Sequence, residues 1–269
     1  MLGNMPTTDE RQVELERRLL DMSASYPATP RETLDGAVPA LIMAARARSL
    51  YAGFLHALDG PSEPTIAVAL RPLVEATIRL KWYSINPDAH RRMLGALSAT
   101  SGLAFVNDVR RHLGPLTEEQ QQRLDERAAV LTAEQADGQE AAEEAGRTYG
   151  DRGGPSLAQM VDEVVKAIPG HRRALRQSYV IAFRAVSPWV HTEVSSFDGT
   201  AQMVAPTVAQ FLGDRVHLGI PDLRRIGGSM MAYCIETIGA FSLDAGAIQE
   251  ARAIRDEMVD AEAYRASRG

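Results

Sequence analysis

Apolar residues recur along nearly the whole chain at steps of three and four, the spacing of one face of an α-helix, with no run alternating as a half-buried strand would. Proline, glycine and capping residues separate these stripes, so the elements can be marked off in turn. Thr7 and Glu10 form a capping box ahead of an amphipathic segment to about Met22, whose apolar side is Val13, Leu15, Leu19 and Leu20; Pro27 and Pro30 break it. Ala37 to Leu58 reads as a second helix stopped by Gly60-Pro61. Pro64 opens a third, which ends at Ile85 because Asn86 precedes Pro87; Pro72 lies inside and is expected to kink it.

A fourth helix starts at Pro87-Asp88 and stops at Gly114-Pro115, with Gly102 as a point of interruption. From Thr117 to about Gly146 the chain is rich in Glu, Gln, Ala and Arg with a sparse apolar side, which predicts a long, largely solvated helix that Asp137-Gly138 divides. After the loop at 150–155, Ser156 caps a short helix closed by Pro169-Gly170, and another runs from His171 to about Val186. The stretch 192–219 has weak periodicity. Pro221 to Phe241, with many small residues suited to close packing, and Asp244 to Tyr264 complete the set.

These elements predict an all-α fold: a single multi-helix bundle over 1–269 with an N-terminal helix at 1–26 and a polar helical arm at 117–150. With 269 residues the chain is long enough for a sizeable core, and no period of roughly 20 to 50 residues marks a solenoid. Cys234 is the single cysteine, the N-terminus lacks the apolar stretch of a secretory signal, and no apolar run is long enough to cross a bilayer. The expected location is cytoplasmic, with no membrane partner. The net charge of −6 opposes general adhesion to nucleic acid, leaving only local basic sites for anionic partners.

Phosphate-cradling glycine loops, a nucleophile elbow and paired metal-binding histidines are all missing, so neither metal nor cofactor is expected. Asp108 and His112 are spaced as a solvated surface pair. Two segments stand out. On the third helix, Arg71, Glu75 and Arg79 stack at four-residue steps, so one carboxylate can serve two guanidinium groups. This is either a clamp between helices or an arginine aimed at an anionic ligand; loss of Glu75 would cost on the order of 3 kcal/mol if the group is buried. Trp82, Tyr179 and Trp189 are the aromatic side chains that such a ligand would meet.

The second segment is Tyr179 to His191. Ser187-Pro188 ends one element and caps the next, bringing Arg184 and His191 toward each other across the break. A histidine that moves protons and an arginine that neutralises phosphate are the minimum for metal-free RNA cleavage by the 2′-hydroxyl; alternatively, His191 and Ser187 bond each other or nearby backbone at a helix junction.

Together the two segments resemble a family of bacterial helical proteins of unknown function, whose members carry an Arg-Pro/Ser-Leu-x-Glu helix ending near a tryptophan and a later Tyr/Phe-Arg-x-x-Ser-x-x-Val-His segment. Arg71 to Glu75 with Trp82, and Phe183 to His191, carry the likeness. The second segment also resembles the Arg-x4–6-His signature of the HEPN superfamily of helical bundles, many of them ribonucleases. That resemblance implies Arg184 and His191 as catalytic residues, RNA as partner, and a homodimer whose two Arg-His segments line one cleft. The rival expectations are a helical protein that holds a small anionic ligand without breaking a bond, at Arg71, Glu75, Arg79, Trp82, Tyr179, Ser187 and Trp189, and a structural bundle that binds a partner.

Overall fold

A computed structural model describes residues 8–25, 37–60, 63–149, 154–185, 201–205, 208–211 and 220–266. The protein is helical, as the apolar spacing predicts. Its helices are α1 (Thr8–Ala24), α2 (Ala37–Leu58), α3 (Glu63–Tyr83), α4 (Pro87–His112), α5 (Glu118–Glu144), α6 (Leu157–Ala167), α7 (Arg172–Tyr179), α8 (Ile220–Phe241) and α9 (Ala245–Ala266). A 3₁₀ turn, Pro169–His171, precedes α7, and a π-helical turn, Val180–Ala185, follows it. The chain divides into two compact units, Met1–Lys81 with Val164–Gly269, and Trp82–Glu163.

In the first unit α8 is the central element. From Ile226 to Gly239 every residue is buried, the mark of a helix enclosed on all sides. Helices α1, α2 and α9 pack on it, and its small residues set how closely they come. A methyl group on Gly227 would collide with the Phe54 ring of α2, and one on Gly228 would lie 2.6 Å from Met258 Sδ of α9. Leu15 and Leu19 of α1 are buried as expected, whereas Val13 is half exposed. Glu16, buried beside them, accepts from Arg224 at 2.8 Å.

Helix α3 continues through Pro72. Its apolar face, including Ile66, Leu70, Leu73 and Leu80, is buried, and Thr77 Oγ1 donates to Leu73 O at 2.9 Å. The weakly periodic stretch contains a short antiparallel pair, β1 (Ala201–Ala205) and β2 (Val208–Phe211), in the register Gln202 opposite Gln210. No β-type run is expected there from spacing alone. Two strands of four and five residues are too short for alternation to stand out against the helical background.

In the second unit α4 and α5 form an antiparallel pair. Thr117 builds the capping box of α5 with Gln120, each side chain meeting the other's backbone N–H. One expectation is corrected here. Neither Gly102 nor Asp137-Gly138 interrupts a helix, because both glycines serve packing: a methyl on Gly138 would meet Ala96 and lie 2.8 Å from Arg92 O, and one on Gly102 would lie 3.0 Å from Leu131. Helix α5 is largely solvated, as its composition predicts, and its sparse apolar side packs on α4. Leu131 packs with Ala99 and Val106, and Ala141 and Ala142 are buried. Arg92 ties the pair together, donating to Asp137 at 2.8 Å, Glu140 at 2.9 Å and Glu144 at 2.5 Å.

Candidate functional site

The first sequence-marked segment forms an ion pair on the first unit. Glu75 Oε1 accepts from Arg79 at 2.6 Å, one turn along α3, and their side chains are 37% and 39% exposed. Arg71 is half-buried one turn earlier. A half-exposed pair at this spacing contributes a few tenths of a kcal/mol. The pair is partly buried and Glu75 bonds Arg79, as the four-residue spacing predicts: α3 buries its leucine face and leaves Glu75 and Arg79 within reach of water.

Trp82 belongs to the second unit, where it is fully buried. His90 stacks on it at 3.7 Å between ring centres with 9° between planes, and Trp82 Nε1 donates to Glu163 at 2.5 Å. Glu163 also accepts from Tyr149 at 2.9 Å and pairs with Arg147. His90 Nδ1 lies 2.6 Å from the carbonyl of Trp82. Burial pushes the His90 imidazole down to about 4, outweighing that backbone bond, so the ring is neutral and donates from Nδ1. Both a face and the N–H of Trp82 are thus committed to the protein's own side chains, which argues against its expected role as a ligand's aromatic wall. Asp108 and His112 are both exposed on α4.

Of the second segment, Tyr179 closes α7 and is half-buried. Arg184 lies in the π-helical turn Val180–Ala185; its side chain, together with Ser187, Trp189 and His191, lies outside the described residues. π-Helical geometry is rare and recurs at functional sites, because the extra residue per turn redirects side chains and frees a carbonyl.

The structure adds a cluster that sequence reasoning missed. Around Glu236 of α8, whose side chain is 3% exposed, four elements of the first unit converge. Arg255 of α9 donates to Oε1, Arg252 Nε to Oε2 at 3.2 Å, and His171 Nε2 lies 3.9 Å from Oε2. Lys81 Nζ and the Arg255 guanidinium each lie 4.9 Å from the centre of the Tyr233 ring, and the His171 ring 4.5 Å from it. Burial lowers Lys81 to about 8, with Glu236 opposing the shift. Burial likewise drives His171 down to about 3, helped by the cations Lys81, Arg255 and Arg252. The residues come from positions 81 to 255, and no spacing rule links helices so far apart.

The cluster holds the start of α7, because His171 ends the 3₁₀ turn that leads into it. With α7 the chain enters its most basic part. Between Glu163 and Glu193 there is no acidic residue, while Lys166, Arg172, Arg173, Arg176 and Arg184 supply five cations. Lys166, Arg172 and Arg176 are exposed. This signal was present in the sequence, hidden by the acidic overall balance. Among the described residues no group of three or more His, Cys, Asp and Glu is placed to hold a metal ion, and no helix is long and apolar enough to cross a membrane. In comparisons with known families, curated proteins and solved structures, the chain shows no significant match.

Proposed function

We propose that this is a HEPN-like protein that engages RNA through the basic window ending in Arg184 and His191. The observation that carries the reading is the acid-free stretch between Glu163 and Glu193 in a chain of net charge −6. A local field of one sign attracts phosphate where the molecule as a whole repels it. Exposed Lys166, Arg172 and Arg176 would track the backbone. Arg184, in the π-helical turn, would neutralise the scissile phosphate, and His191 would take the 2′-hydroxyl proton and return one to the leaving 5′-oxygen, with no metal in the step. The reading includes a symmetric homodimer, which doubles the basic windows along one cleft.

The test is a mixed RNA pool incubated with the protein in excess chelator, beside a binding titration across salt concentrations. Cleavage is expected to disappear in both Arg184→Ala and His191→Ala while circular dichroism is unchanged. Arg172→Ala and Arg176→Ala are expected to weaken binding uniformly across sequences and to reduce the salt slope by about 1 each. Binding without cleavage would identify a relative that holds RNA but does not cut it, a reading favoured by Ala185 standing where HEPN nucleases usually carry a polar residue after the arginine. Absence of RNA binding at low salt would overturn the proposal.

A further inference from the structure

A second candidate site lies apart from the basic window, within the first unit. A concave groove of about 570 Å³ runs between α2 and α8 and reaches the C-terminal end of α1. This volume falls inside the range of small-molecule sites. Its floor is one helical stripe of α8, Met231, Cys234, Ile235 and Ile238, all buried. Ala44 and Ala45 on α2 leave the space unfilled, and Val38 and Ile42 form a lip that is 52% and 66% exposed.

Polar groups are few and unequal. Ser23 Oγ donates to Leu20 O at 2.6 Å and Ser49 Oγ to Ala45 O at 3.1 Å, so both hydroxyl protons are spent on their own helices. No acidic residue lines the groove among the described residues. Arg48 does, exposed and without an ion pair among them. The lining is therefore an apolar trough with a single cation toward one end. Val38 to Ser49 covers about 16 Å along α2 at the helical rise, the scale of a medium-length acyl chain.

We propose that this groove binds an amphipathic monoanion, an acyl chain lying on the α8 stripe under the lip of Val38 and Ile42 with its carboxylate at Arg48. Burial of the exposed lip, Val38 and Ile42, and of the acyl chain itself drives the binding, and Arg48 sets the orientation and the sign of charge accepted. Cys234 takes no covalent part, since burial raises its thiol to about 11 and its sulfur lies 3.2 Å from Thr77 Oγ1.

The experiment displaces anilinonaphthalene sulfonate, a fluorescent apolar anion, from the full chain with dodecanoate or with dodecyltrimethylammonium. The wild type is expected to prefer dodecanoate by about tenfold or more, equivalent to about 1.4 kcal/mol. Arg48→Glu, at an exposed position, is expected to reverse that preference. Ala45→Trp, also at an exposed lining position, is expected to fill the trough and weaken both ligands. Failure of dodecanoate to displace the probe, no preference between the two charges, or a preference that Arg48→Glu leaves unmoved would each overturn the proposal. Binding unchanged in a folded Ala45→Trp variant would place the ligand elsewhere and overturn it too. None of these readings involves RNA, so the groove and the basic window stand or fall separately.

Discussion

Gly227 of α8 lies against the edge of the Phe54 ring of α2, so close that a Cβ would sit 2.8 Å from Cζ and nearer still to Cε1. The ring is fully buried and cannot retreat into solvent. Gly227→Ala is therefore expected to destabilise the protein by about 2 kcal/mol through overpacking, despite the better helix propensity of alanine. Urea melts of Gly227→Ala, Phe54→Leu and the double variant test this. The double variant is expected to recover part of the loss, and simple additivity would show that the two positions do not share the strain.

Two carboxylates on this protein each meet arginines, Glu75 along its own helix and Glu236 from the neighbouring α9. Glu236 is buried among Arg252, Arg255 and Lys81, whereas Glu75 pairs with Arg79 at a half-exposed surface. Glu236→Gln is expected to cost about 3 kcal/mol, because Lys81 and the largely buried Arg255 lose their counter-charge, while Arg252 reaches water. Glu75→Gln is expected to cost under about 1 kcal/mol. Thermal melts of the two variants side by side decide it, and equal shifts would contradict the difference in burial.

Two histidines, His90 buried and His171 partly buried, contribute to the acid limb of stability. Each has a folded value below the ordinary imidazole range, near 4 for His90 and near 3 for His171. The unfolded chain thus takes up a proton first as pH falls below about 6.5, and stability present above that value declines toward the folded ones. Between pH 7 and pH 5 each histidine is expected to remove roughly 2 kcal/mol. Chemical melts at those two pH values should show a smaller drop in His90→Gln and in His171→Gln than in the wild type. An unchanged pH slope in both variants would mean that neither ring is held neutral.

Helices α5 and α8 end in the same Schellman-type turn with different residues in the left-handed position. Gly146 sits at φ 66°, with Arg147 N bonded to Ala142 O at 2.9 Å; Leu243 sits at φ 55°, with Asp244 N bonded to Gly239 O at 2.8 Å. Leucine is strained there and is 76% exposed, so it recovers little by packing. Leu243→Gly is expected to stabilise the fold by about 0.5 kcal/mol, the relief of strain exceeding the entropy lost from the unfolded chain. A lower melting temperature in that variant would show that Leu243 makes contacts worth more than its strain.

Sequence alone determined the helices and many of their ends, because these are local matters. The capping box at Thr117, the cap at Ser156, the stop at Asn86-Pro87 and the buried Leu15 and Leu19 all arise from residues within one or two turns of each other. It also contained the basic window from Lys166 to Arg184, which overall charge obscured. Tertiary structure decided what each ambiguous residue is for. Gly102 and Gly138 could break a helix or admit a neighbour, and only the approach of α4 and α5 makes them contacts. Glu75 has arginines at four-residue steps on its own helix, whereas Glu236 meets Arg252 and Arg255 only when α9 packs on α8. The cluster at Glu236 joins residues up to 174 positions apart, from Lys81 to Arg255. A periodicity reports one helix's faces and carries no term for which other helix will meet them, so burial and the charge balance of a site arise only when the helices pack.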